Sequence, residues 1–482
     1  MLMKKNHLLA TMKLCLLALG SSTLLLTSCA KDGYDNDEKF ESSVTNTQLA
    51  SPDADKISIT PSPDGTTMTI EWPIVIGAGG YQITLTDVSD AENPVVIASQ
   101  VVDGCSVAGL PRGEDMYYQL ELKTLGNASK GNTDAPTATV KAFSTATETT
   151  GTIPTGNDLA EWFAANPIPD SDDMLYYDLV AGGTYTLNSM LDFQGHKVTL
   201  RCKSKTNRAV VTYGEDGGLA CGNAFGLKYL IFECANSSKP FFSLSTTPGM
   251  EADAEHNNHY IITEPITFAY CEMRNVNSYF VYDNKKKYCV ATFLVNECVV
   301  KMSSDESMKT GAAFQCYDGG GFICNLTLQN STFWNSNSNK QNYFIRYGNA
   351  GRADRAGFTS SSINMINCTF YNIAKQGQMC NHSGFDGDKY TNYTITKNIF
   401  VDCGSNQVAR RILGRRGTGV IVFNLNTYMF DGAVGTDQTG YDDGSILTTD
   451  PGFADAPNGD FTISGEEQLA NQTGDPRWIN NN

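Results

Sequence analysis

Five short stretches decide how this chain is read: Phe268-Ala269-Tyr270-Cys271-Glu272-Met273, Val295-Asn296-Glu297-Cys298-Val299-Val300, Gln329-Asn330-Ser331-Thr332-Phe333, Ile366-Asn367-Cys368-Thr369-Phe370 and Thr396-Lys397-Asn398-Ile399-Phe400. Aligned on Cys271, Cys298, Ser331, Cys368 and Asn398 they are spaced by 27, 33, 37 and 30 residues, and Leu425 extends the series by another 27. A constant short strand with variable spacers describes a coil whose turns stack identically while loops of unequal length protrude. Asn beside the Cys or Thr suits a tight corner, because it tolerates left-handed backbone angles and its amide reaches the turns above and below. Leu175-Tyr176-Tyr177-Asp178-Leu179, Thr184-Tyr185-Thr186-Leu187, Lys197-Val198-Thr199-Leu200 and Tyr229-Leu230-Ile231-Phe232 supply the first turns.

Upstream, Asp158 and Glu161 have capping-box spacing, and Leu159, Trp162 and Phe163 give one apolar face. This predicts a short helix that covers the first open edge of the coil. Residues 146–155 read as a Thr-rich linker. Residues 51–145 alternate apolar and polar positions in short strands, as in Met68-Thr69-Ile70-Glu71-Trp72 and Tyr117-Tyr118-Gln119-Leu120-Glu121-Leu122, which predicts a β-sandwich.

These patterns carry resemblances. The segment 156–435 resembles a right-handed parallel β-helix of the pectate-lyase-like superfamily. The segment 51–145 resembles a fibronectin type III module, with Trp72, Leu110 and Tyr118 at its matching core positions. Residues 436–482, with Asp450-Pro451-Gly452-Phe453 and Gly474-Asp475-Pro476-Arg477-Trp478, resemble the closing segment of β-helical lipoproteins from Bacteroidetes. The expected class is therefore all-β.

The N-terminus points to a membrane address. Residues 1–28 have a basic start, an apolar run from Leu8 to Leu26, and small residues before Cys29. They resemble a bacterial lipoprotein signal, which implies diacylation of Cys29. The acidic, apolar-poor residues 29–50 read as a flexible tether and resemble the export signal of Bacteroidetes surface lipoproteins. The whole set is similar to outer-surface proteins encoded with polysaccharide-utilisation systems, implying an outer-membrane protein facing the cell exterior.

Composition agrees with that setting. The chain carries 52 acidic and 35 basic residues, a net charge of −17; loss of the three Lys in residues 1–28 makes it −17 − 3 = −20. Nucleic acid and anionic membrane surfaces are thereby excluded as partners of the whole molecule. Of 14 Cys, 12 remain without Cys15 and Cys29, and their places in apolar repeats predict stacked, reduced thiols rather than a disulfide framework.

No catalytic motif is complete. Asp318, Asp386-Gly387-Asp388 and the run from Glu251 to Glu255 are candidate carboxylates, but two carboxylates do not complete the oxygen shell calcium prefers. Asn132-Thr133-Asp134, Gly195-His196-Lys197 and Arg201-Cys202-Lys203 echo hydrolase motifs of this fold without their order. His256 and His259 read as a polar excursion rather than a metal pair. The basic clusters say more, because they stand in an acidic chain. Arg346, Arg352 and Arg355, then Arg410, Arg411, Arg415 and Arg416, each follow a coil strand, so stacking brings them to one side. Arg binds carboxylates bidentately, and Trp334, Tyr343 and Tyr347 offer flat faces for sugar rings.

The reading is a non-catalytic, surface-tethered protein that binds acidic, pectin-like polysaccharide for capture and utilisation, alongside glycan-import or glycan-degrading proteins. No catalytic residue, metal or cofactor is expected. The alternatives are a polysaccharide lyase or glycoside hydrolase, of which the lyase would bring calcium, and a structural or adhesive protein.

Overall fold

The computed structural model describes residues 44–479 except 64, 90–92, 114, 349–352, 383–390, 414–418, 436–441, 443 and 444. Cys29, Arg352, Asp386, Asp388, Arg415 and Arg416 lie outside the described residues. The chain separates into two compact units, with the boundary after Ser144 and the segment Val88–Pro94 grouped with the second.

In the first unit, Ser58–Pro61, Thr67–Glu71 and Ser106–Pro111 form one antiparallel sheet. Val95–Val102, Ala78–Asp87, Tyr117–Gly126 and Thr139–Ser144, in that spatial order, form another. Period-two patterning decides which side chains are inside: Tyr118, Leu120 and Leu122 are buried on one strand, Ile83 and Leu85 on its neighbour. Trp72 meets Tyr81 edge to face at 5.4 Å, and the Tyr118 hydroxyl accepts the Gly113 amide at 2.8 Å. The expected tether is shorter than residue 50. Asn132 Nδ2 donates to Val44 O at 2.9 Å and Leu49 N to Thr133 O at 3.1 Å, pinning 44–50 to this unit.

The second unit is a parallel β-helix. Successive turns feed three sheets: eleven strands from Gly151–Ile153 to Ile421–Asn424, ten from Thr184–Leu187 to Ala433–Val434, and seven from Met190–Asp192 to Gln378–Asn381. Every ladder in them is parallel except the last pair, Thr427–Phe430 with Ala433–Val434. Gly151–Ile153, inside the segment read as linker, already pairs with Leu175–Leu179, so the coil begins earlier than expected. The helix Leu159–Ala165 is present; Asp158 caps it through Glu161 N at 3.2 Å, and Phe163 packs on Tyr177 and Phe193.

The repeat aligned in the sequence is the corner from the eleven-strand to the ten-strand sheet. Tyr229, Tyr270, Glu297, Asn330, Asn367, Lys397 and Leu425 hold it with φ between 48° and 58°. A left-handed residue takes the next amide out of the ladder, and a side chain from the adjacent turn satisfies it. Cys271 N donates to Cys298 Sγ at 3.4 Å, Cys298 N to Ser331 Oγ at 3.0 Å, Cys368 N to Asn398 Oδ1 at 2.9 Å and Asn398 N to Asn426 Oδ1 at 3.0 Å. The thiols of Cys271, Cys298 and Cys368 in turn donate to the carbonyls of Ala269, Asn296 and Ile366. None of the twelve cysteines among the described residues is in a disulfide, and burial pushes the thiols of Cys271 and Cys368 upward.

Beyond the last turn the tail runs back over the outer face of the ten-strand sheet. Gln468 Nε2 reaches Thr427 Oγ1 (3.1 Å), Gly474 N reaches Lys397 O (2.9 Å), Asp475 N reaches Thr369 Oγ1 (3.0 Å), and Trp478 Nε1 reaches Thr332 Oγ1 (2.7 Å). Arg477 ends the traverse on Glu297 O at 3.0 Å. Thr427, Ile399, Thr369, Thr332 and Val299 form one row of the sheet, so the tail crosses one turn after another.

Candidate functional site

The basic and aromatic residues picked out in the sequence divide between two outer faces and the core. Tyr343 and Arg346 lie on Tyr343–Tyr347 of the seven-strand sheet, both half-buried. Arg346 follows Tyr282 and Gln315 and precedes Asn381 in one row across four turns, each step about 4.8 Å. Its guanidinium carbon sits 3.6 Å from the Tyr317 ring centroid and 5.0 Å from that of Tyr343, and Nη1 donates to Thr310 O at 2.7 Å. Stacked Arg keeps its planar fork pre-organised. Among the described residues no carboxylate pairs with it. Beside it Tyr279 and Tyr282 stack at 4.8 Å and 20°, and Gln315 Nε2 lies 3.5 Å from the exposed Asp318.

A second carboxylate, Asp283, follows Tyr282 in the chain and is fully buried. It accepts from Gly319 N at 2.8 Å and Lys285 N at 3.1 Å, joining two loops. Burial pushes it up to about 7, against those two amides and with help from Asp318. Burial pushes the Tyr279 hydroxyl's pKa up, Asp318 pushes it further up and Arg346 opposes this, so all three groups share one neighbourhood.

Two expectations need correction. Tyr347 is not a surface platform: it is 1% exposed, with its ring inside the coil beside His382, which in turn meets Tyr393. Its strand neighbour Arg346 takes the outward place that the strand can give to only one of them. Trp334 belongs to the ten-strand sheet, 6% exposed under Phe461 of the tail, and so shares no groove with Tyr343. Arg410 and Arg411 lie on the helix Val408–Leu413, which packs against Gln378–Asn381 and whose Ile412 O meets His382 Nε2 at 3.0 Å. That helix therefore follows Gln378–Asn381, the last strand of the seven-strand sheet, in the stack. Arg355 is exposed on another loop, where its charge reaches His259.

Several sequence fragments have structural duties. Arg201 is 2% exposed and bonded to Asp178 at 2.7 Å. His256 pairs with Asp253 at 2.7 Å, while His259 is buried edge-on to Phe322. Among the described residues no three His, Cys, Asp or Glu side chains converge to hold a metal ion. Tyr279, Tyr282 and Tyr317 were not singled out in the sequence. Their signal was register: Tyr282 and Arg346 share a row that variable loop lengths conceal.

A coil of stacked parallel strands, with an arginine beside tyrosines on one outer face, defines a parallel β-helix protein. Three family models match it in succession: DUF4992, a domain of unknown function, over residues 3–182; DUF4957, over 183–336; and DUF5123, over 363–478. No curated protein matches the chain. Similar solved structures include pectate lyase PelI from Erwinia chrysanthemi, 12% identical over 69% of this chain and 88% of that one, TM-score 0.23. Pectate lyase Pel3 from Pectobacterium carotovorum is 9% identical over 80% of this chain and 92% of that one, TM-score 0.14. TM-scores this low say nothing about shared chemistry.

Proposed function

We propose that this is a surface lipoprotein that binds acidic polysaccharide on the outer face of the seven-strand sheet. One observation carries the reading: in a chain of net charge −17, Arg346 is held flat between two tyrosines without a carboxylate partner among the described residues. A guanidinium so placed takes a uronate carboxylate in two parallel hydrogen bonds, while Tyr279, Tyr282 and Tyr343 lie against the C–H faces of sugar rings. Arg410 and Arg411 extend the positive charge along the coil axis, the direction a linear polymer would take across the turns. The first unit reads as a fibronectin type III-like spacer, supported by its strand order and by buried Trp72 and Tyr118. Leu159–Ala165 reads as the cap of the first turn. Lipid on Cys29 would hold the protein at the outer membrane, facing outward, near proteins that import or degrade glycans.

The test is retention of the protein in affinity gels of polygalacturonate and of a neutral glucan. Arg346→Ala should lose the acidic-gel retardation and leave the neutral gel unchanged; undiminished retardation sinks the proposal. Cys29→Ala should leave the membrane fraction, and its persistence there would remove the lipid anchor.

A second reading, a lyase or hydrolase, has its own support. Asp318 is exposed beside the Arg346 clamp, and an acid beside an arginine is a starting point for uronate chemistry. Absorbance rising near 235 nm, roughly where an unsaturated uronate absorbs, would replace the binding reading with this one.

A further inference from the structure

The outer face of the ten-strand sheet is half covered. Phe453, Ala456, Phe461 and Trp478 of the tail pack on Trp334 and Tyr371, and Ile463 and Ile479 on Ile399 and Val401. Where the tail stops, a cleft of about 490 Å³ opens over the turns that carry Glu272, Arg274, Val299 and Lys301. That is a small-molecule volume. Asn458, Gly459 and Trp478 close it on the tail side.

Its cations are of two kinds. The arginines are engaged by carboxylates: Arg208 with Glu272 at 3.5 Å, Arg274 with Glu272 at 2.7 Å and Glu233 at 2.6 Å, Arg477 with Asp475 at 3.0 Å. They stiffen the walls. The lysines are not engaged in this way. Lys301 Nζ lies 4.8 Å above the Trp334 ring and Lys205 Nζ 5.2 Å above that of Tyr270, and among the described residues neither has a carboxylate partner. A cation parked on an aromatic face is held in place yet keeps donors for a ligand. Two ammonium groups without carboxylate partners among the described residues and two aromatic rings thus face one open cleft in an acidic protein.

We propose that this cleft is a second binding site, specific for the end of a short anionic oligosaccharide. The rings of Tyr270 and Trp334 border the sugar, Lys205 and Lys301 each take an anionic group, and the tail stops the chain so that only a terminus enters. The site lies on a different sheet from Arg346 and does not depend on it. Lysine is a point donor, so it serves sulfate and carboxylate alike.

The experiment is calorimetric titration of the full-length Arg346→Ala protein, which lacks the clamp of the other face, with three probes: a triuronide, a sulfated disaccharide and a neutral trisaccharide. At least one anionic probe should bind with one site per chain, and the neutral one should not. Lys301→Glu should weaken that binding at least tenfold, and Lys205→Glu should do likewise; unfolding temperatures establish that each variant is folded. Which anionic probe binds identifies the anion. Absence of binding by both anionic probes, or parent-like affinity in both folded variants, overturns the proposal.

Discussion

At the residue scale, the molecule's inner hydrogen bonds rest on side chains that composition would place as filler. Cys298 accepts Cys271 N and donates to Asn296 O, and Ser331 does the same work one turn on. Cys298→Ser should therefore cost less than Cys298→Ala, which leaves a buried amide without its acceptor, a loss of about 1–3 kcal/mol. Thermal unfolding should rank parent, Ser and Ala in that order. The acid side chains give a pH dependence with a defined sign. Asp283 and Asp475 are pushed up by burial, to about 7 and about 6. Folding thus favours their protonated forms, so their contribution to stability is complete below the ordinary carboxylate range and is lost as pH rises through 6 to 7. Unfolding temperature should fall between about pH 4 and pH 7, and Asp283→Asn should flatten that fall; an equal slope in the variant would refute the assignment.

At the scale of elements, the corner repeat was legible in the sequence because one apolar position and its neighbours recur whatever the loop length. The same alignment also contained the outward row. Three residues after Cys271, Cys298, Ser331 and Cys368 come Arg274, Lys301, Trp334 and Tyr371, which the fold places on one face. The fate of that row was not legible, since nothing local tells that a tail far downstream covers Trp334 and Tyr371 and spares Lys301. Tyr347 was misread for a related reason: strand alternation fixes that Arg346 and Tyr347 point opposite ways, not which of them faces in. The tail is itself testable. Gly459 has φ +92°, and a Cβ there would lie 3.0 Å from Trp334 Cζ2. Gly459→Ala should cost about 1–2 kcal/mol, read as a lower unfolding temperature, and should shift Trp334 fluorescence because the wedge lifts the tail from that ring.

For the whole molecule, the arithmetic of charge opposes its local chemistry. A chain of −17 repels a polyanion at distance, while in the binding proposed above Arg346 and the helix arginines attract it at contact. Salt acts on the long-range term first, because the screening length falls from about 30 Å at 0.01 M to about 10 Å at 0.1 M. Affinity for polygalacturonate should consequently rise between those two concentrations and fall again towards about 1 M, where contact pairs are screened too. A monotonic fall from the lowest salt would mean that the local field already dominates.

The tail also fixes when the molecule is finished. Its bonds from Asp475 to Thr332 and from Arg477 to Glu297 span 143 and 180 residues of chain. Turns of the coil can zip one upon another as they are made, yet none of those bonds forms until Asp475 and Arg477 exist. At about 5–20 residues per second, the turn bearing Glu297 waits roughly 10–40 s for its latch. A chain cut before Asp475 keeps the complete coil but loses the bonds to Thr332 and Glu297, so the early turns are left without the ties that join them to the tail.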